Sequence, residues 1–309
     1  MREISVDRNR AGIGVTLKKG WSKYGYGLLF VTPFMILFTI FYIIPVITAL
    51  VMSLTNYNMI QKPSFMGFTN YRLLFTDDRV FLIALGNTFV FAGIVGPIGY
   101  LASFIMAWII NQLRVRNAFS LAFYAPSICS GIALSHVWLF IFSSDRYGLI
   151  NNVLIKLGLT DKPILWDRDP EYILKVIIVV SLWMSMGTGF LVFLAGLQSI
   201  PEFLYEAAAI DGVSNRYAQL WYITFPQMKP QMLFGAVYSI VNSFGVFEIA
   251  MTIGGLPSPN YAGHTIVSHL FDYAFIRFQL GYASAIAVFL FVLTFTLGRI
   301  SMKIFKSDD

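Results

Sequence analysis

The sequence predicts an all-α integral membrane protein with about six membrane-crossing helices. Three observations predict it. Only 12% of the 309 residues are charged, about half the share usual in soluble domains. Mean hydropathy is +0.69. The apolar residues gather in long runs, each matching the ~20 residues that cross a hydrocarbon core.

The first run, Tyr24 to Leu54, follows a polar stretch with Lys18, Lys19 and Lys23. It exceeds the ~7–15 residues of a signal-peptide core and lacks a small-residue cleavage site, so it reads as an uncleaved helix. Pro33 and Pro45 interrupt it, which a membrane helix tolerates when neighbours satisfy the freed backbone groups. Five further runs follow: Phe81 to Ile110, Ala118 to Phe142, Tyr172 to Gln198, Met232 to Gly254 and Tyr282 to Met302. Gly254 to Ser258 reads as a turn, and His264 to Gln279 as a short interfacial helix before the sixth run. Residues 1–23 form an N-terminal segment and 24–309 the membrane domain.

Charge placement gives the orientation. The N-terminal segment carries Arg2, Arg8, Arg10, Lys18, Lys19 and Lys23, the short second connection Arg114 and Arg116, and the C-terminal end Arg299, Lys303 and Lys306. Six spans put all of these on one side, which the positive-inside rule makes the cytoplasm. The net charge of +6 is therefore a topology signal rather than a nucleic-acid footprint. The connections 55–80 and 143–171 mix both signs and fall outside; the adjacent Asp77 and Asp78 read as a solvated turn. A single cysteine, Cys129, excludes an internal disulfide and reads as an inert buried thiol. His264 and His269 are five positions apart, poor spacing for one helix face, so no metal site is expected.

The loop from Ser199 to Gln231 is the most informative segment. Ser199 and Glu202 fit a capping box, with Pro201 in the first turn. The helix runs to about Asp211, with Phe203, Ala207 and Ile210 on one face beside Leu204 and Ala208. Gly212 ends it as a left-handed cap. A second short helix follows, stopped by Pro226 and Pro230. The small alanines allow close approach of a partner.

Glu206, Ala207, Ala208 and Gly212, followed by Ile223, Thr224 and Pro226, resemble the EAA loop of binding-protein-dependent ABC permeases. The stretches Gly67 to Tyr71 and Gly281 to Val288 resemble the sugar branch, the relatives of the maltose and glycerol-3-phosphate permeases. Phe225 departs from the usual leucine, and the stretch from Gly212 to Pro226 is one residue longer than the common spacing.

The resemblance implies the type I ABC importer permease fold. It also implies a cytoplasmic helix-turn-helix coupling loop in which Glu206, Ala207, Ala208, Asp211, Gly212 and Pro226 meet a separate ATPase. The expected partners are a second homologous permease, two copies of that ATPase and an extracytoplasmic solute-binding protein, in the plasma membrane of a prokaryote with both termini inside. The expected cargo is a sugar or oligosaccharide carried by alternating access. The chain has no Gly-Lys pair, hence no phosphate-binding loop of the G-x-x-x-x-G-K-[ST] type, and no cofactor is expected. A membrane enzyme would need a catalytic cluster such as H-E-x-x-H or G-x-S-x-G, and neither occurs. An ion-coupled secondary sugar carrier is the alternative; it would place ionisable groups at mid-membrane and repeat its halves. No repeat is evident, and Glu248 is the one acid deep in a span.

Glu248 is a candidate for the substrate pathway, because a charge in hydrocarbon must face the bundle or a wet cavity. Asn242, Ser243 and Phe244 precede it and offer an amide, a hydroxyl and an aromatic face to a sugar. Trp183 and Ser185 are further candidates, with Gly187, Thr188 and Gly189 following. Trp138 reads more simply as an interfacial anchor.

Overall fold

The computed structural model describes residues 27–305 apart from Ser130 and Met186. The basic N-terminal segment and Lys306 lie outside the described residues. The described residues form helices joined by turns and loops, with one isolated bridge between Thr55 and Phe65. Helix α1 (Gly27–Met52) is followed by the short α2 (Thr69–Thr76) and by α3 (Arg79–Asn111). Helices α4 (Arg116–Ile128) and α5 (Gly131–Ile141) follow, then the short α6 (Leu149–Lys156). Helices α7 (Pro170–Met184) and α8 (Thr188–Ser199) lead into the loop helices α9 (Glu202–Ile210) and α10 (216–227). The chain ends with α11 (Lys229–Phe244), α12 (Glu248–Gly254), α13 (Ile266–Ile276) and α14 (Leu280–Phe305).

Among the described residues, five helical stretches are long and apolar enough to cross a membrane, and the bent pair α4–α5, taken as one span, makes a sixth. These match the six runs read from the sequence. Each run suggests one continuous helix, and three are not continuous. Span three bends by 95° between α4 and α5. Span four breaks between α7 and α8, and span five between α11 and α12. Hydropathy reports transfer into lipid, not helix continuity, so it cannot register these breaks.

Span two, α3, is the central post: 33 residues, about 50 Å long. It packs on α8, on α11 and on α7. Span one packs within this chain mainly on span six, and its apolar window is 0% buried. Its Pro45 follows a π turn, Thr39–Ile43, whose extra width spares a clash with the carbonyl one turn back.

The buried side chains form three clusters. One, near the α6 end of the bundle, holds Phe91, Ile173, Ile177 and Ile253. A second, near the α9 end, holds Phe104, Phe190, Phe193 and Met228. A third joins Leu74, Phe81, Ile266 and Ile286. The two short motifs outside the loop meet in space. Asn70 Nδ2 donates to the Ser53 and Thr55 carbonyls at 2.8 Å each. The Gly281 N–H donates to the Tyr57 carbonyl at 2.9 Å, and a Cβ on Gly281 would collide with the Thr55 carbonyl. Asn70 thus ties α2 to the end of span one, and Gly281 ties span six to the residues just after it.

Candidate functional site

The three breaks lie against one another. A Cβ on Gly187, in the break of span four, would collide with the Cβ of Ser127 at the end of α4. A Cβ on Gly131, at the start of α5, would collide with the Glu248 carboxylate at the start of α12. A Cβ on Gly99 of span two would stand 2.6 Å from the Ser185 Oγ. Broken backbone at membrane depth is tolerated where it is buried in protein or lines a cavity.

A cavity of about 230 Å³ lies there. Val95, the midpoint of α3, is in its wall, so it sits at mid-depth, between the cluster around Ile177 and the cluster around Phe190. Span two contributes Tyr100 and Ser103, span three Ser127, and span four Ser181 and Ser185. Span five contributes a stripe, Gly235, Tyr238, Ser239, Asn242, Ser243 and Val246, at helical spacing. Most hydroxyl protons are already committed. Ser127 donates to the Tyr124 carbonyl at 2.7 Å, Ser185 to Leu182 at 2.8 Å, Ser239 to Gly96 at 2.9 Å and Ser243 to Ser239 at 2.7 Å. Tyr100 donates to the Met232 carbonyl at 3.2 Å.

Of the residues singled out in the sequence, Asn242, Ser243 and Ser185 line this cavity. Phe244 is buried and packs edge-on against Phe89. Trp183 stands T-shaped on Trp138, which stacks on Phe142, in an aromatic group near the α6 end. Glu248 does not line the cavity; its carboxylate lies at the start of α5, where the positive end of a helix favours an anion. The sequence reading misses Tyr100, Ser103, Ser127, Tyr238 and Ser239. The signal is present for span five, as small and polar residues on one helical face.

The loop helix α9 forms as expected, but its start differs. The capping box is absent: Ser199 is the last residue of α8, and its hydroxyl donates to the Gly196 carbonyl at 2.7 Å. Pro201 is the N-cap instead. The far end is a Schellman motif: Val213 N–H donates to the Ala208 carbonyl at 2.8 Å, and Gly212 N–H to Ala209 at 3.3 Å. Asp211 is the C-cap, and Gly212 has φ +92°. Phe203 and Ile210 are 63% and 86% exposed, so the apolar stripe has no partner among the described residues. Glu206 and Ala207 are exposed with it, whereas Leu204, Tyr205 and Ala208 turn inward.

The second loop helix corrects another expectation. Pro226 lies inside α10, which ends one residue later at Gln227, whereas Pro230 does not stop a helix: it opens α11, in a first turn where its missing N–H costs nothing. A π turn, Leu220–Thr224, precedes Pro226 just as one precedes Pro45. A π turn houses one more residue than an α turn. Tyr205 bonds Thr224 hydroxyl to hydroxyl at 3.0 Å, and Arg216 donates to Gln112 Oε1 at 2.7 Å, tying the loop to span two.

Asp78 is not in a solvated turn. Its carboxylate caps α3 by accepting from the Phe81 N–H, and accepts from the Tyr282 hydroxyl at 2.8 Å and His269 Nε2 at 2.9 Å. His269 in turn meets His264 at 3.3 Å. Burial alone would raise the Asp78 pKa; the hydrogen bonds from His269, Phe81 and Tyr282 outweigh it and hold the carboxyl well below the usual range. Burial, reinforced by the nearby His269, lowers His264 to about 4. Cys129 is also not where the sequence suggests: it is exposed, in the extended residue that ends α4.

A family model described as binding-protein-dependent transport system inner membrane component matches residues 97–307. The probable ABC transporter permease protein YesP of Bacillus subtilis (strain 168) is 35% identical over 287 residues, covering 92% of this chain and 90% of that protein. The arabinooligosaccharides transport system permease protein AraP of the same organism is 30% identical over 294 residues, 93% and 92% of the two chains. A solved bacterial alginate ABC transporter, in complex with alginate pentasaccharide-bound periplasmic protein, contains a chain of the same fold. Its TM-score is 0.79 at 22% identity, over 94% of this chain and 98% of that one.

Proposed function

The chain belongs to the family of binding-protein-dependent transport system inner membrane components, and from that membership we propose that it forms part of the translocation pathway of an ATP-driven importer of a sugar or oligosaccharide. It is a multi-pass ABC permease subunit of the prokaryotic kind, a transport subunit rather than an enzyme. The observation that carries the proposal is the hydroxyl-lined cavity at mid-depth, where the breaks of spans three, four and five meet. Serine, tyrosine and asparagine side chains suit a polyhydroxylated cargo, and the relatives include an arabinooligosaccharide permease.

In this reading the α9 end faces the cytoplasm. The exposed face of α9, with Glu206 and Ala207, enters a cleft of a separate ATPase, and the cap at Asp211 and Gly212 sets its angle. Two such ATPases close on ATP and drive the permease pair between inward- and outward-facing states. A second, homologous permease completes the pathway and covers the apolar surface of span one. An extracytoplasmic solute-binding protein delivers cargo at the α6 end, as the periplasmic protein bound to the alginate transporter suggests.

The test is uptake by vesicles holding the chain with its genomic neighbours: a second permease, an ATPase and a binding protein. The expected result is accumulation of labelled oligosaccharide that requires ATP and survives a protonophore. Uptake that ignores ATP and collapses with the protonophore would make the chain an ion-coupled carrier and refute the proposal.

A further inference from the structure

Resting on the reading of this chain as a sugar permease, we infer that its cargo is uncharged, and that the cavity excludes uronates and sugar phosphates. No Asp, Glu, Lys, Arg or His lines the cavity among the described residues. An anion taken from water needs cations or several hydrogen-bond donors around it. The walls offer the opposite. The protons of Ser127, Ser185, Ser239 and Ser243 point to backbone carbonyls, so these oxygens face the cavity as acceptors. Tyr100 has likewise spent its proton on Met232.

An acceptor-rich wall selects a ligand that donates. A neutral sugar presents an O–H on most of its carbons and satisfies such a wall; a carboxylate or phosphate presents only lone pairs and leaves the acceptors opposed. The unpartnered hydroxyl of Ser181, the amide of Asn242 and the hydroxyl of Tyr238 supply the few donors, the last two one turn apart on the exposed side of span five. The Tyr238 ring adds a flat apolar surface for the C–H face of a pyranose or furanose. Glu248 reinforces the selection from outside the cavity. Its carboxylate, at the start of α5, repels an anion approaching along span five. The fold is shared with a transporter of the acidic polysaccharide alginate, and the inference is that the acidic cargo is not shared with it.

The experiment is binding of labelled sugars to the assembled transporter in detergent, without the binding protein. The probes are galactotriose and arabinotriose against size-matched trigalacturonate and a hexose phosphate. The expected result is retention of a neutral sugar at least ten times tighter than either anion, with Asn242→Ala and Tyr238→Ala each weakening it at least tenfold. Equal or tighter retention of the uronate or phosphate would overturn this inference and leave the sugar reading standing. Retention of none of the probes, by a complex that still hydrolyses ATP, would overturn both. Because both substitutions stand on an exposed helical face, co-purification of the partner subunits reports whether a loss of binding is local.

Discussion

Gly212 allows a quantitative test of the proposed coupling role of the loop. Its φ of +92° closes the Schellman motif that fixes where α9 ends. Nothing lies within 4 Å of a Cβ built there, so a substitution meets no side chain, and the whole penalty is in the backbone. For an ordinary L-residue that penalty is about 1–2 kcal/mol. At 1.4 kcal/mol per tenfold change, the docking-competent loop becomes about 5–30 times rarer. Gly212→Ala should therefore weaken ATPase association by about that factor. Gly212→Val should cost more, and Gly212→Asn less, because asparagine tolerates the left-handed region. The six spans pack without this residue, so membrane insertion should be unchanged.

The assay titrates purified ATPase onto permease in membranes, with ATP-dependent uptake measured alongside. The order Gly, Asn, Ala, Val in apparent affinity is the signature of a backbone effect; a steric clash with the ATPase would instead follow side-chain size and place Ala ahead of Asn. Ala207→Trp separates the two. Ala207 is exposed, so the indole would obstruct docking without straining the loop. Wild-type affinity and import in both Gly212→Val and Ala207→Trp would refute the docking role of α9.

Three further outcomes are expected. In a Cys129→Ser background, which is needed because Cys129 is exposed, an impermeant thiol reagent applied outside intact cells should label Asp161→Cys and not Lys303→Cys; the reverse would invert the topology. Glu248→Gln should keep the complex assembled and change uptake less than fivefold, because the carboxylate lies at the start of α5, where a charge contributes about 0.3–1 kcal/mol; abolished binding of cargo would put Glu248 in the cavity wall. The α6 end should lose stability in acid. His264 is held below its ordinary value, so the folded chain binds fewer protons there; its stability is complete above about 6.5 and is lost as pH falls toward about 4. Asp78, held lower still, loses its contribution only below the ordinary carboxylate range. Thermal unfolding should therefore steepen with acid between pH 6.5 and 4 in the wild type and flatten in His264→Asn; identical slopes would refute it.

What the sequence can reveal follows from where each signal resides. The six runs are readable because lipid penalises charge residue by residue. The end of α9 is readable because a left-handed cap selects glycine at one position, and Gly212 follows an uninterrupted helical pattern. Its start is misleading because Ser199 and Glu202 satisfy the capping-box pattern equally well when the serine still belongs to the preceding helix. Pro230 passes for a terminator because a first-turn proline and a stopping proline look alike without knowing where the next helix begins. Asp78, His269 and Tyr282 cannot be joined from the sequence: 191 and 204 positions separate the partners, and nothing local distinguishes Asp78 from Asp77. The cavity is half readable, through the stripe on span five, while Ser127 and Ser185 become part of it only because the chain breaks beside them.

The position of those breaks bears on mechanism. Loop helix α9 hangs from α8 on one side and, through α10, from α11 on the other. Both α8 and α11 end at a break, and both pack on span two around Phe193 and Tyr100, the T-shaped pair at the cavity wall. Beyond the breaks, α7 and α12 pack on each other around Ile173 and Ile253. On the proposed reading, a force applied at α9 would reach α8 and α11, each of which has its far end at a break. Unbroken spans would have carried the same force through to the α6 end and moved both mouths together. Alternating access requires that they move oppositely. If the chain works as proposed, a hinge at the depth of the cavity would meet that requirement, because the residues that change angle would be those that line it.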